Sequence, residues 1–280
     1  MLLARYKVLE VIGRGQYGQV FRGQDLATGQ VVAIKELSLN HFSTRDFIRE
    51  IQVLSRLQHP NLLSLVGVEY GPATRYIIME YCDGGTLRDV IASPEPLSLL
   101  TKLELMIDIL QGLHYLHCVD VFHCDLKPEN IFLSDAVDRK VAKIGDFGSV
   151  RTDVTFRENI GDHQGLGSPA YMAPERFYGS YSKTVDLYAL GIIMYETFTG
   201  DRPFLGSPNQ LAQNHLTKPI SPPKNLPLHL QTLVMKALEK LPQRRFQTAE
   251  EMLRSCHLSH LILMAEQRSF PDLREDLFSE

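Results

Sequence analysis

Hydrophobic and polar positions alternate through KVLEVIG (7–13), GQVFRG (18–23) and VVAIKEL (31–37), all rich in β-branched residues. That period of two predicts three strands in a meander, with Thr28-Gly29 at the second turn. The period then lengthens. Across STRDFIREIQVLSRLQ (43–58), Phe47, Ile51, Leu54 and Leu57 recur at helical spacing, Ser43 or Thr44 can cap the start, and HPN (59–61) ends the run. Strand patterns return around LLSLVGVEY and RYIIMEY on either side of Gly71-Pro72, which would complete a five-stranded antiparallel sheet with one main helix.

Beyond Gly84-Gly85 the pattern is helical. LLTKLELMIDILQGLHYLH (99–117) has a long apolar face, and VDLYALGIIMYETFTG (185–200) is apolar almost all round, so both belong in a core. TKPISPPKNLP (217–227) reads as a Pro-rich loop, and Thr248 with Glu251 forms a capping box for a last helix. The expected fold class is α+β: a small sheet-based lobe followed by a mainly helical one.

Composition adds little beyond exclusion. A chain of 280 residues has room for two lobes, and 44% hydrophobic with 22% charged residues is that of a globular protein. A formal net charge of -4 argues against bulk nucleic-acid binding. Cys82, Cys118, Cys124 and Cys256 show no CxxC pairing, so free thiols and a cytoplasmic location are expected. No apolar run approaches the roughly 18 residues of a membrane helix, so no membrane segment is expected either.

Candidate chemistry gathers in a few places. GRGQYGQV (13–20) sets Gly13, Gly15 and Gly18 across the first hairpin, where missing side chains would let backbone N–H groups approach phosphate oxygens; a flexible glycine hairpin is the alternative. A strand follows these glycines, where a dinucleotide fold would place a helix. Lys35 falls on the third strand and Glu50 beside the inward face of the helix, so the two can pair and hold the ammonium against phosphates. In HCDLKPEN (123–130), Pro128 keeps His123, Asp125, Lys127 and Asn130 out of a helix, and GDFG (145–148) adds Asp146. Asn130 and Asp146 offer the oxygen ligands that Mg²⁺ takes along with substrate phosphates, which leaves Asp125 free to accept a hydroxyl proton.

Taken together, GRGQYGQV, VAIK, Glu50, HCDLKPEN, DFG and APE (173–175) stand in the order and spacing of the eukaryotic-like protein kinases, and the chain resembles that family over about residues 4–260. The resemblance implies a bilobal fold, with an N-lobe over 4–81, a C-lobe over 82–260 and a tail over 261–280, and ATP bound between the lobes. It implies adenine contacts at Met79, as gatekeeper, and at Glu80 and Cys82 in the hinge, between apolar Val20, Ala33 and Phe132, with Ile12 also in the nucleotide set. It assigns Asp125 as catalytic base, Lys127 as a γ-phosphate contact, and Asn130 with Asp146 as Mg²⁺ ligands. Asp186 resembles the aspartate that braces the catalytic loop, and Glu175 with Arg245 the structural ion pair of the family. Lys127 and GSPAYMAPE (167–175) are similar to the serine/threonine branch, with protein substrates; the opening strands look like bacterial, including cyanobacterial, members. Lys35→Met and Asp146→Asn are then expected to abolish turnover with the fold largely intact, and Glu175→Ala to lower stability.

The departures matter as much. Cys124 stands where an arginine is common, which removes a cation that activation-loop phosphate would otherwise compensate; activity without obligatory loop phosphorylation is expected, with redox sensing by the thiol as the rival. Leu241 replaces a common aspartate, Phe132 a common leucine and Ser168 a common threonine. His114 and His117 read as core histidines rather than metal ligands, and Cys82 as a small buried residue. Candidate autophosphorylation sites are Thr152, Thr155 and Ser168. A pseudokinase scaffold and a small-molecule kinase are the competing functions; the retained Lys35, Glu50, Asp125, Asn130 and Asp146 oppose the first, and the DFG-to-APE segment the second.

Overall fold

The computed structural model describes residues 5–15, 18–38, 43–71, 74–152 and 167–269; Thr155 and most of the tail fall outside them. Contacts divide the chain into two compact units, Met1–Gly85 with Phe132–Gly148, and Thr86–Ile131 with Ser149–Glu280. A single border between residues 81 and 82 does not describe this division. The DFG-bearing segment joins the first unit because the Leu63 N–H donates to the Ile144 carbonyl at 2.9 Å and the Gly84 N–H to that of Leu133 at 2.8 Å.

The first unit is a five-stranded antiparallel sheet in the order β1-β2-β3-β5-β4, as the alternation predicts. Its strands are β1 (Tyr6–Gly15), β2 (Gly18–Asp25), β3 (Val31–Ser38), β4 (Leu65–Tyr70) and β5 (Thr74–Glu80). One face forms a core of Tyr6, Val32, Ile34, Tyr76 and Ile78. Successive strand residues point to opposite faces, so Ala33 and Lys35 share the other face, with Val20 opposite Lys35 and Met79 opposite Ala33. Helix α1 (Thr44–Leu54) is shorter than its pattern; it buries Phe47 and Leu54 and, among its polar residues, Glu50, while Ile48 is exposed.

Gly18 has a packing reason that the glycine pattern did not suggest. A Cβ there would sit 2.1 Å from the carbonyl oxygen of Glu36 on β3, so no side chain fits. Strands β6 (Ile131–Asp135) and β7 (Lys140–Ile144) form a separate pair. Gly145, which follows β7, is covered by Leu63 and the Phe132 ring, whose nearest atoms would lie 2.4 and 2.7 Å from an added Cβ.

The second unit is helical: α2 (Leu87–Ala92), α3 (Leu99–Cys118), α4 (Lys183–Thr199), α5 (Pro208–Thr217), α6 (Leu228–Ala237) and α7 (Ala249–Ser269). As their patterns predict, α3 and α4 are buried over most of their length, and α3 packs against both α4 and α7. The α7 capping box is half-formed: the Glu251 N–H donates to Thr248 Oγ1 at 3.1 Å, but the Glu251 carboxylate accepts from the Gln247 N–H, one residue earlier than the box requires. Helix α7 runs past residue 260, the expected end of the C-lobe. Leu241 is half exposed at the start of a short 3-10 turn that no side chain caps. Among the described residues no helix is long and apolar enough to cross a membrane.

Candidate active site

In the first unit, the Lys35 ammonium donates to Glu50 Oε1 at 2.9 Å and to Asp146 Oδ1 at 3.0 Å. Burial alone would lower the lysine pKa, but the two carboxylates outweigh it and raise the group above its ordinary value, so Lys35 is a fixed cation. Glu50 is 3% exposed, and among the described residues its Oε2 has no hydrogen-bond partner. Asp146 takes a left-handed backbone conformation, with φ of 59°, and its side chain is 43% exposed. Val20, Ala33 and Phe132 are each partly buried, Met79 is buried and Ile12 is exposed. The Glu80 carboxylate is held by Lys143 Nζ, at 3.0 Å, and by the Ser64 N–H, at 2.8 Å, two partners that sequence reasoning missed. Cys82 is half-buried rather than buried, and burial pushes its thiol up to about 12, which makes it a poor nucleophile.

In the second unit the HCDLKPEN loop hangs from Asp186. The backbone N–H groups of His123 and Cys124 donate to its two oxygens at 2.9 and 2.8 Å, and His117 Nε2 lies 2.9 Å from Oδ2. Burial would push this carboxyl up, but the His117 hydrogen bond and nearby charge pull it below the ordinary value and keep it ionised. His117 is therefore a core histidine with a bracing role, while His114 is only half-buried. Cys124 has φ of 65°, so the loop turns sharply just before Asp125.

Asp125 is held on both oxygens. Oδ1 accepts from the Ser168 N–H at 2.8 Å and Oδ2 from Lys127 Nζ at 3.2 Å. Gly167, at φ of 65°, admits this approach, since a Cβ there would lie 3.0 Å from Oδ1. The Asn130 amide donates to the Asp125 carbonyl at 2.9 Å. Further along, Arg245 grips Glu175 through two bonds of 2.6 and 2.7 Å, and its remaining donors reach the Thr184, Glu239 and Lys240 carbonyls. Arg88 had no motif to announce it, yet it joins Glu129 of the HCDLKPEN loop to buried Glu196, which also accepts from Tyr171 Oη.

Comparison with known sequences agrees with this arrangement. The protein kinase domain family matches residues 6–258, and the chain belongs to that family. It is similar to the serine/threonine-protein kinase PrkC of Bacillus subtilis, with 34% identity over 259 residues, 89% of this chain and 39% of PrkC. It is likewise similar to the serine/threonine-protein kinase PknB of Mycobacterium tuberculosis, with 34% identity over 264 residues, 89% of this chain and 42% of PknB. The chain thus spans about two-fifths of the length of these curated relatives.

Proposed function

We propose that the chain is the catalytic domain of a serine/threonine protein kinase that transfers the γ-phosphate of Mg-ATP to protein hydroxyl groups, without obligatory phosphorylation of its activation loop. The observation that carries this reading is Lys35 held by both Glu50 and Asp146, since a lysine so placed is a charged, oriented contact for phosphate oxygens. The serine/threonine preference is supported by the names of the relatives above and by the Lys127 spacing.

The residues assigned to the metal fit a hard cation. Asn130 commits its amide nitrogen to the Asp125 carbonyl, so its oxygen is the atom left for a ligand, and Asp146 keeps a carboxylate that is nearly half exposed. Asn130 and Asp146 would hold Mg²⁺, which would supply positive charge to neutralise the phosphates. Asp125, its carboxylate fixed by Ser168 and Lys127, orients the acceptor hydroxyl and takes its proton, while Lys127 reaches the transferred phosphate. The apolar Val20, Ala33, Met79 and Phe132, with Ile12, Gly13, Gly15, Gly18, Glu80 and Cys82, serve the nucleotide.

Independence from loop phosphorylation follows from Cys124. Burial raises its thiol, which is 5% exposed, far above the ordinary value, so the group is neutral; this also weighs against redox sensing. The test is phosphate transfer from Mg-ATP to a generic protein acceptor by phosphatase-treated protein, with Asp125→Asn as control. Transfer by the wild type alone supports the proposal. Equal, background-level incorporation by both proteins overturns it.

A further inference from the structure

Arg176, immediately after the APE motif, is 5% exposed, and among the described residues no carboxylate lies within ion-pair distance of it. Its Nη1 donates to the Cys124 carbonyl, its Nε is buried with no partner among the described residues, and its guanidinium carbon lies 4.8 Å from the Tyr181 ring centroid. Arg151 approaches the same ring, at 5.7 Å. Burying a guanidinium without a direct counter-ion is costly, so its surroundings must supply compensation. Asp125 and Asp186 line one small cavity with Cys124, Ser168 and Arg176. A single point, the place of a Cβ on Gly167, lies 3.2 Å from Arg176 Nη1 and 3.0 Å from Asp125 Oδ1.

We infer that Arg176 is the resident cation of the catalytic loop, a positioning residue that supplies beside Asp125 the charge that Cys124 does not. The inference rests on the kinase reading above and deepens its regulatory half. Two effects combine. The hydrogen bond to the Cys124 carbonyl holds a non-glycine residue at φ of 65°, a conformation that costs free energy when nothing fixes it. The charge, which an arginine never loses, attracts the neighbouring Asp125 carboxylate and helps to hold it in place beside the loop. Because Arg176 is compensated inside the fold, it awaits no phosphate.

Arg176→Gln keeps a donor for the carbonyl and removes the charge, whereas Arg176→Lys keeps the charge. Steady-state kinetics on phosphatase-treated proteins, with thermal melts of each, separate the two effects. The expected result is a fall in kcat of about ten- to a hundredfold for Arg176→Gln with KM for ATP within about twofold, the scale of one unit charge at this range in a protein interior. Arg176→Lys should keep most of the wild-type kcat. A folded Arg176→Gln protein with wild-type kcat overturns the inference, as does a folded Arg176→Lys protein as impaired as the glutamine variant. If neither variant folds, Arg176 is a structural cation and the inference also fails. A wild type no better than Asp125→Asn would instead strike the kinase reading itself.

Discussion

The two units fix their functional carboxylates by different means. In the first, Glu50 and Asp146 are tied to one lysine, side chain to side chain, across 15 and 111 residues of sequence. In the second, Asp186 is held by two backbone N–H groups and a histidine, and Asp125 by one backbone N–H and a lysine. A side-chain tie is lost with a single substitution. A backbone donor survives any replacement that keeps the chain path, so the loop around Asp125 is protected where the tie through Lys35 is exposed to change.

The comparison breaks first at the place where the second unit does rely on side chains. Glu175→Ala should cost about 3–5 kcal/mol, because it strands a guanidinium whose side chain is fully buried. Thermal melts should show a fall of about ten degrees. A shift of only a degree or two would mean that the carbonyls around Arg245 suffice.

Next comes Lys35→Met. Sequence alone suggested an intact fold, but Glu50 is 3% exposed, so losing its cation should cost about 2 kcal/mol as well as turnover. The figure is below that for Glu175 because the lysine side chain remains 18% exposed to solvent. Adding Glu50→Leu should restore the melting temperature without restoring phosphate transfer, a coupling that a double-mutant cycle reads directly. Equal melting of Lys35→Met and wild type would show that Glu50 needs no partner.

Comparable in size, but reached only gradually, is the pH dependence in the second unit. Burial and the nearby Lys240 charge lower His215 from 6.5 to about 4, and its ring bonds Tyr188 Oη and the Ala170 carbonyl. A histidine with a lowered folded pKa binds its proton more tightly when unfolded. Its contribution is therefore fully present above pH 6.5 and is lost as pH falls toward 4. At pH 5 the loss should be about 2 kcal/mol. His215→Gln should flatten that part of the stability profile between pH 7 and 5; an unchanged slope would place the titration elsewhere.

Much of this was legible in the sequence because it is written in residue type and spacing. The alternation before residue 38 fixes the faces of β1 to β3, and Lys35 on one strand with Glu50 on one helix is enough to anticipate their pairing. Asp186 could be named as a brace only through family resemblance, since its partners are backbone N–H groups that no side-chain pattern reports. Gly18 was read as a phosphate approach, and the Glu36 carbonyl that forbids a side chain there appears only once β2 and β3 are paired. Arg176 meets Cys124 across 52 residues with no motif linking them, and Arg88 meets Glu196 across 108. Such contacts belong to the packed chain rather than to any local run.

The most direct test of the central claim is the initial rate of phosphate transfer from Mg-ATP by phosphatase-treated protein, with intact mass followed over the same interval. The account predicts transfer from the first time point, before the chain itself gains phosphate, and none from Asp125→Asn. A lag that ends only as the chain acquires phosphate would contradict it.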